Sequence, residues 1–146
     1  MRMTRWLPLA VLLFPFVSHA QAGGACPGLP AGADLSWQVI DGDDFTHCKA
    51  IRDSDGSQAF SVTLRPEATF RARRALRDGD PVSIDDHEVH WYRGEVTSGE
   101  VRETLIELGK RRTAHIVISA ADEAGLAAVR AQAEGLRFDD VRIGSK

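Results

Sequence analysis

Between residues 35 and 64 the chain alternates apolar and polar side chains with a period of two. Leu35, Trp37 and Val39 alternate with Ser36 and Gln38, and Phe60, Val62 and Leu64 alternate with Ser61 and Thr63. Side chains two apart share a face of an extended chain, so this pattern predicts half-buried strands. A further strand over 45–51 lies between them. The breaks are Asp41-Gly42-Asp43-Asp44 and Asp53-Ser54-Asp55-Gly56-Ser57, both rich in turn formers. Three strands joined by short turns predict an antiparallel meander.

The period then changes. Pro66 ends the third strand, and Ala68, Ala72, Ala75 and Leu76 fall at helical spacing. They predict a helix over 67–77, with Phe70 off its stripe and an irregular arm as the alternative. After a turn at 78–81, Val82–Ile84 and Glu88–Tyr92 predict a hairpin turning at Asp85-Asp86-His87. Val89 and Trp91 would face one way, His90 and Tyr92 the other. Thr97 and Glu100 resemble a capping box, and Val101, Thr104, Leu105 and Leu108 form one stripe. Gly109 and the cations Lys110, Arg111 and Arg112 follow, as at a helix end. A second helix is therefore predicted over about 100–108.

Ile116-Val117-Ile118, within a strand over 113–119, reads as a central strand. Ser119 and Asp122 open an alanine-rich helix that stops near Gly135, and 138–143 reads as a last strand. A strand-helix-strand order allows a parallel crossover. Together these elements predict an α+β fold: a mostly antiparallel sheet, built from a meander and a hairpin, with two or three helices on one face. A C-terminal strand-helix-strand unit completes it.

Ahead of residue 35 the chain has another character. Arg2 and Arg5 precede an apolar run from Leu7 to Val17, and Ser18-His19-Ala20 follows. A basic start, an apolar stretch and small residues before a cut compose a secretory signal peptide, with cleavage expected after Ala20 or Ala22. The run has eleven residues and contains Pro15, too short for a spanning helix of roughly twenty. Gly23-Gly24-Ala25 before Cys26 lacks the bulky aliphatic residue usual before a lipidated cysteine. No later stretch is apolar enough to cross a bilayer. The expected organisation is a leader at 1–20, an irregular Gly-, Ala- and Pro-rich lead at 21–34, and one α+β domain at 35–146.

Export changes the reading of the cysteines. Cys26 and Cys48 are the only two, and an oxidising compartment predicts their disulfide. Arginine outnumbers lysine fifteen to three, a bias of GC-rich bacterial coding sequence, so the expected location is periplasmic or secreted. The full chain carries a formal charge of −3. Removing residues 1–20 takes two arginines and no acid, leaving −5. That balance argues against a nucleic-acid partner.

Chemical motifs are sparse. There is no Gly-x-Ser-x-Gly elbow, phosphate loop or Ser-x-x-Lys pair. His87 and His90, three apart on a hairpin, are expected on opposite faces, and no zinc set of three or four ligands is evident. The acidic turns lack the ligand spacing of a helical calcium loop. No cofactor is therefore expected. The densest basic cluster is Arg71, Arg73, Arg74 and Arg77, and the densest aromatic one is His90-Trp91-Tyr92-Arg93. His90, Tyr92, Arg93, Arg73, Arg74 and Arg77 are the expected interface residues, since rings and guanidinium groups anchor contacts.

The expected function is a non-enzymatic binding module with a protein partner in the cell envelope, such as an inhibitor or immunity factor. The acidic balance suits rapid capture of a basic partner. The alternatives are a small periplasmic hydrolase using His90 or His115 as its acid-base group, or an accessory component of an envelope complex.

Overall fold

A computed structural model describes residues 26–68 and 70–138. The predicted leader and all but the first residue of the predicted last strand lie outside them. The meander forms as expected: β1 (Leu35–Asp41), β2 (Thr46–Arg52) and β3 (Gln58–Arg65) pair antiparallel in turn. After a 3-10 turn at Arg74–Leu76 come β4 (Val82–Ile84), β5 (His87–Val89) and β6 (Tyr92–Arg93). Then follow β7 (Glu100–Gly109), β8 (Arg112–Ala120) and α1 (Glu123–Glu134). The main sheet runs β1-β2-β3-β8-β7-β6, and β4 and β5 form a separate hairpin. Every ladder among the described residues is antiparallel.

Among the described residues one helix, not two or three, covers the sheet. The segment read as a helix over 100–108 is β7, ten residues long. Its true period is two. Arg102, Thr104 and Ile106 point inward and are buried, while Val101, Glu103 and Leu105 point outward and are half-buried. Both faces thus carry apolar groups, and the inward face also carries a guanidinium and a hydroxyl. A hydropathy stripe cannot register that mixture. Thr104 Oγ1 donates to the His90 carbonyl at 2.7 Å. Gly109, expected as a helix stop, has φ 130° in the β7–β8 turn, a backbone region that suits glycine.

The 67–77 segment is an arm, not a helix, apart from the 3-10 turn. Ala68, Ala72 and Ala75 are exposed, and a stripe of alanines offers too little apolar area to hold a helix face on a core. Phe70 instead turns onto the sheet.

α1 begins at Asp122, whose Oδ1 accepts from Gly125 N at 2.8 Å, and ends at Gly135. It buries Leu126, Val129 and Ala133 against Phe60, Val62, Ile106, Ile116 and Ile118 of the sheet's inner face. Trp91, fully buried, donates from Nε1 to Glu134 at 2.8 Å. Asp85 and Asp86 make the two-residue turn of β4–β5 with φ 47° and 67°. The Asp85 carboxylate accepts from Phe138 N at 2.6 Å, so this turn also fixes the end of the described chain.

The disulfide joins Cys26 to Cys48 of β2. Next to it, Trp37 Nε1 donates to the Pro27 carbonyl at 2.7 Å, and Gly28 bridges Arg137. The lead is thereby tied to β1, β2 and the chain beyond α1. The acidic turns are internally bonded: Asp55 accepts from Ser57 N and Oγ, and Asp41 accepts from Thr46. No helix among the described residues is long and apolar enough to cross a membrane.

Beneath the edge near β6 lies an ionic cluster. The Arg102 side chain is 7% exposed and reaches Asp78 at 2.7 Å and Glu100 at 2.8 Å. Arg130 of α1 also pairs with Asp78. Burial alone would raise the Asp78 carboxyl, but hydrogen bonds and charge from Arg102 and Arg130 outweigh it and lower its pKa.

Two stability changes are expected. Replacing both Cys26 and Cys48 with Ser lowers unfolding free energy by about 3 kcal/mol, read from denaturant midpoints. Asp78→Asn lowers it by about 2–3 kcal/mol at pH 7, because it leaves two guanidinium groups short of a carboxylate. A lowered folded pKa contributes stability above the unfolded value and loses it as pH falls through the folded value. The gap between wild type and Asp78→Asn therefore closes below about pH 4.

Candidate functional site

The helix lies on one face of the sheet, so the opposite face carries what the core does not use. Alternation along β2, β3, β8 and β7 sends His47, Thr63, His115 and Leu105 outward. The register sets them side by side as one row. A neighbouring row holds Lys49, Ser61, Val117, Glu103 and Tyr92.

Polar members of these rows bond to one another. His47 Nδ1 and Thr63 Oγ1 share a hydrogen bond at 2.8 Å. Glu103 Oε2 accepts from His115 Nε2 at 2.8 Å, with both side chains about a quarter exposed or less. The His47 pKa is lowered, first by burial and then by the charge of Lys49.

Phe70 closes over the centre. Its ring stacks on His115 at 5.2 Å between centroids, 13° from parallel, and lies 5.4 Å from Tyr92. His90 meets Tyr92 edge-on at 6.4 Å. A chain of rings, His90–Tyr92–Phe70–His115, therefore crosses the outer face. A groove opens on each side of Phe70. One, of about 500 Å³, is lined by Phe70, His87, His90, Tyr92 and Leu105 among others. The other, of about 480 Å³, is lined by Phe70, Arg71, Arg73, Arg93, Glu103 and His115 among others.

Of the interface residues expected from sequence, His90 and Tyr92 line the first groove and Arg73 and Arg93 the second. Arg74 and Arg77 line neither. Tyr92 faces the outer side of the sheet as expected, and Phe70 covers it there, leaving it buried. His87 and His90 both line the first groove. His90 and His115 do not converge; Phe70 and Tyr92 separate them. Phe70, Glu103 and Thr63 were missed as site residues. The signal for Phe70 was present, as the one large apolar residue that fitted no stripe.

Chemically, His115 and Glu103 resemble a base with its orienting carboxylate. The flat sheet face supplies little else: ladder N–H groups are already bonded to neighbouring strands, so they cannot form an oxyanion hole. Among the described residues, no three His, Cys, Asp or Glu side chains group to hold a metal ion. Comparison with known protein families, curated proteins and solved structures finds no match to this chain.

Phe70→Ala tests the cover. It is expected to cost about 2 kcal/mol, from the lost half-buried apolar area together with the ring contacts to Tyr92 and His115. It should also raise the rate at which diethylpyrocarbonate modifies His115 several-fold, as followed by peptide mapping.

Proposed function

We propose that this protein is an exported, non-enzymatic binding module that holds another protein in the cell envelope, as an inhibitor or immunity factor does. The observation that carries this reading is the outer face of the sheet. Rings stack across its centre and exposed guanidinium groups of Arg71, Arg73 and Arg93 stand at its margin. Aromatic and arginine side chains make good anchors, because rings bury large area with few rotatable bonds and guanidinium groups present several directed donors. The Cys26–Cys48 disulfide supports an oxidising destination, in keeping with the leader read at residues 1–20 and with a periplasmic or secreted location.

The hydrolase reading is favoured by one observation, the 2.8 Å contact of His115 with Glu103. It is weakened by the stacking of Phe70 on the same imidazole and by the lack of free backbone donors beside it. A role as an accessory component of an envelope complex would use the same outer face.

Site-specific photo-crosslinking in cells tests the proposal. A photoreactive residue at Arg93 is expected to give a stoichiometric protein adduct. The same residue at Ala128, exposed on α1 and thus across the sheet, is expected to give none. Adducts at neither position, together with ester or peptide hydrolysis abolished by His115→Ala, would replace the binding reading with the enzymatic one.

A further inference from the structure

Among the described residues the arginines differ in how far their own chain engages them. Arg102 and Arg130 are held by Asp78 at hydrogen-bond distance, and Arg102 by Glu100 as well. Arg52 is bonded to Ser57 and to the Gln58 carbonyl at 3.0 Å. The arginines around the second groove are not used in this way. Arg73 has only a 3.9 Å contact with Glu95, both side chains being more than two-thirds exposed. Arg93 has one long hydrogen bond, 3.4 Å, to the Ala75 carbonyl. Arg71 has neither an ion pair nor a hydrogen bond among the described residues.

Three exposed guanidinium groups thus line one groove while nearly all their donors stay open to water. Of the two carboxylates in that groove, Glu103 is engaged by His115 and Glu95 only weakly by Arg73. The mature chain as a whole is acidic, so this is a local reversal of its field. Guanidinium forks match carboxylates bidentately, which lysine ammonium groups do not. Phe70 and Leu76 give the groove an apolar floor between these forks.

We propose that this groove receives an extended acidic segment of a partner protein, whose carboxylates engage Arg71, Arg73 and Arg93 while an apolar neighbour rests on Phe70 and Leu76. The net charge of the chain favours a basic partner, but contact is governed by the groups within a Debye length of the groove, about 8 Å at physiological salt. This inference rests on the reading of the outer face as the docking face and names the chemistry of what docks there.

The test is fluorescence anisotropy with a labelled Gly-Glu-Leu-Glu-Leu-Glu-Gly peptide and its counterpart with Lys for Glu. The protein is used as the full mature chain. The acidic peptide is expected to bind and the basic one not. Arg71→Glu/Arg73→Glu/Arg93→Glu should weaken binding by about tenfold or more, since even exposed pairs sum over three sites. Arg71→Gln alone should weaken it a few-fold, which keeps the test decisive if the triple variant folds poorly by circular dichroism. Lys110→Glu/Arg111→Glu, in the exposed β7–β8 turn and outside the groove, should change it less than about twofold. Equal binding of both peptides overturns the proposal. So does equal loss in the two reversal variants, which would indicate a diffuse field. Full displacement by sulfate at constant ionic strength would indicate a simple anion site and overturn it as well. A protein cross-linked at Arg93 but indifferent to the arginine reversals would defeat this inference and leave the docking face standing.

Discussion

A guanidinium withdrawn from water must be met by carboxylates, and Arg102 decides where three parts of this chain meet. Its own strand is β7; Asp78 closes the arm that follows β3; Arg130, on α1, shares the same carboxylate. Removing Asp78 would leave the Arg102 guanidinium short of a partner out of water, which costs more than an ordinary surface pair is worth. Asp78 is held from a second direction, since its backbone N donates to the Trp91 carbonyl at 2.9 Å. With that end clamped beside the inner face, the arm passes around the β6 edge. Phe70, eight residues earlier, reaches the outer face. The cover over His115 and Tyr92 therefore depends on an ion cluster on the other side of the sheet.

The molecule divides its two sheet faces by task. The inner face takes the large apolar side chains, and α1 and the β4–β5 hairpin close it. Among the described residues the outer face carries no helix, and its side chains are mixed: imidazoles, hydroxyls, an ammonium, a carboxylate and half-buried aliphatics, with Phe70 laid over its centre. Such a face is well enough ordered to present groups in fixed positions and open enough to be approached. Its rigidity comes from continuous ladders beneath it, and its grooves from the arm laid across it.

Much of this architecture was legible in the residues. The meander showed itself because Trp37, Phe60, Val62 and Leu64 alternate cleanly with polar neighbours on a face that meets water. α1 showed itself through its cap at Asp122 and its stop at Gly135. β7 did not, and the reason is physical. Its inward positions include Arg102 and Thr104, which the distant Asp78 and the His90 carbonyl help to satisfy, so burial there leaves no hydrophobic trace. Its outward positions include Val101 and Leu105, which happen to fall four apart. The arm was misread because alanine carries helix propensity whether or not anything covers it. The pairing of His115 with Glu103 depended on β7 being a strand, and so was lost with it.

The order β1-β2-β3-β8-β7-β6 has a kinetic consequence. The β1–β2, β2–β3 and β7–β8 pairs close through short turns, and β6 reaches β7 after a loop of only six residues. One ladder differs: β3 meets β8 with Arg65 opposite Thr113, across 48 positions of chain. Contacts between neighbours in sequence form quickly, whereas distant ones wait on an entropic search. Closing that one seam therefore carries the largest entropic cost of any ladder in the main sheet, and it is the step expected to limit how fast the native state is reached.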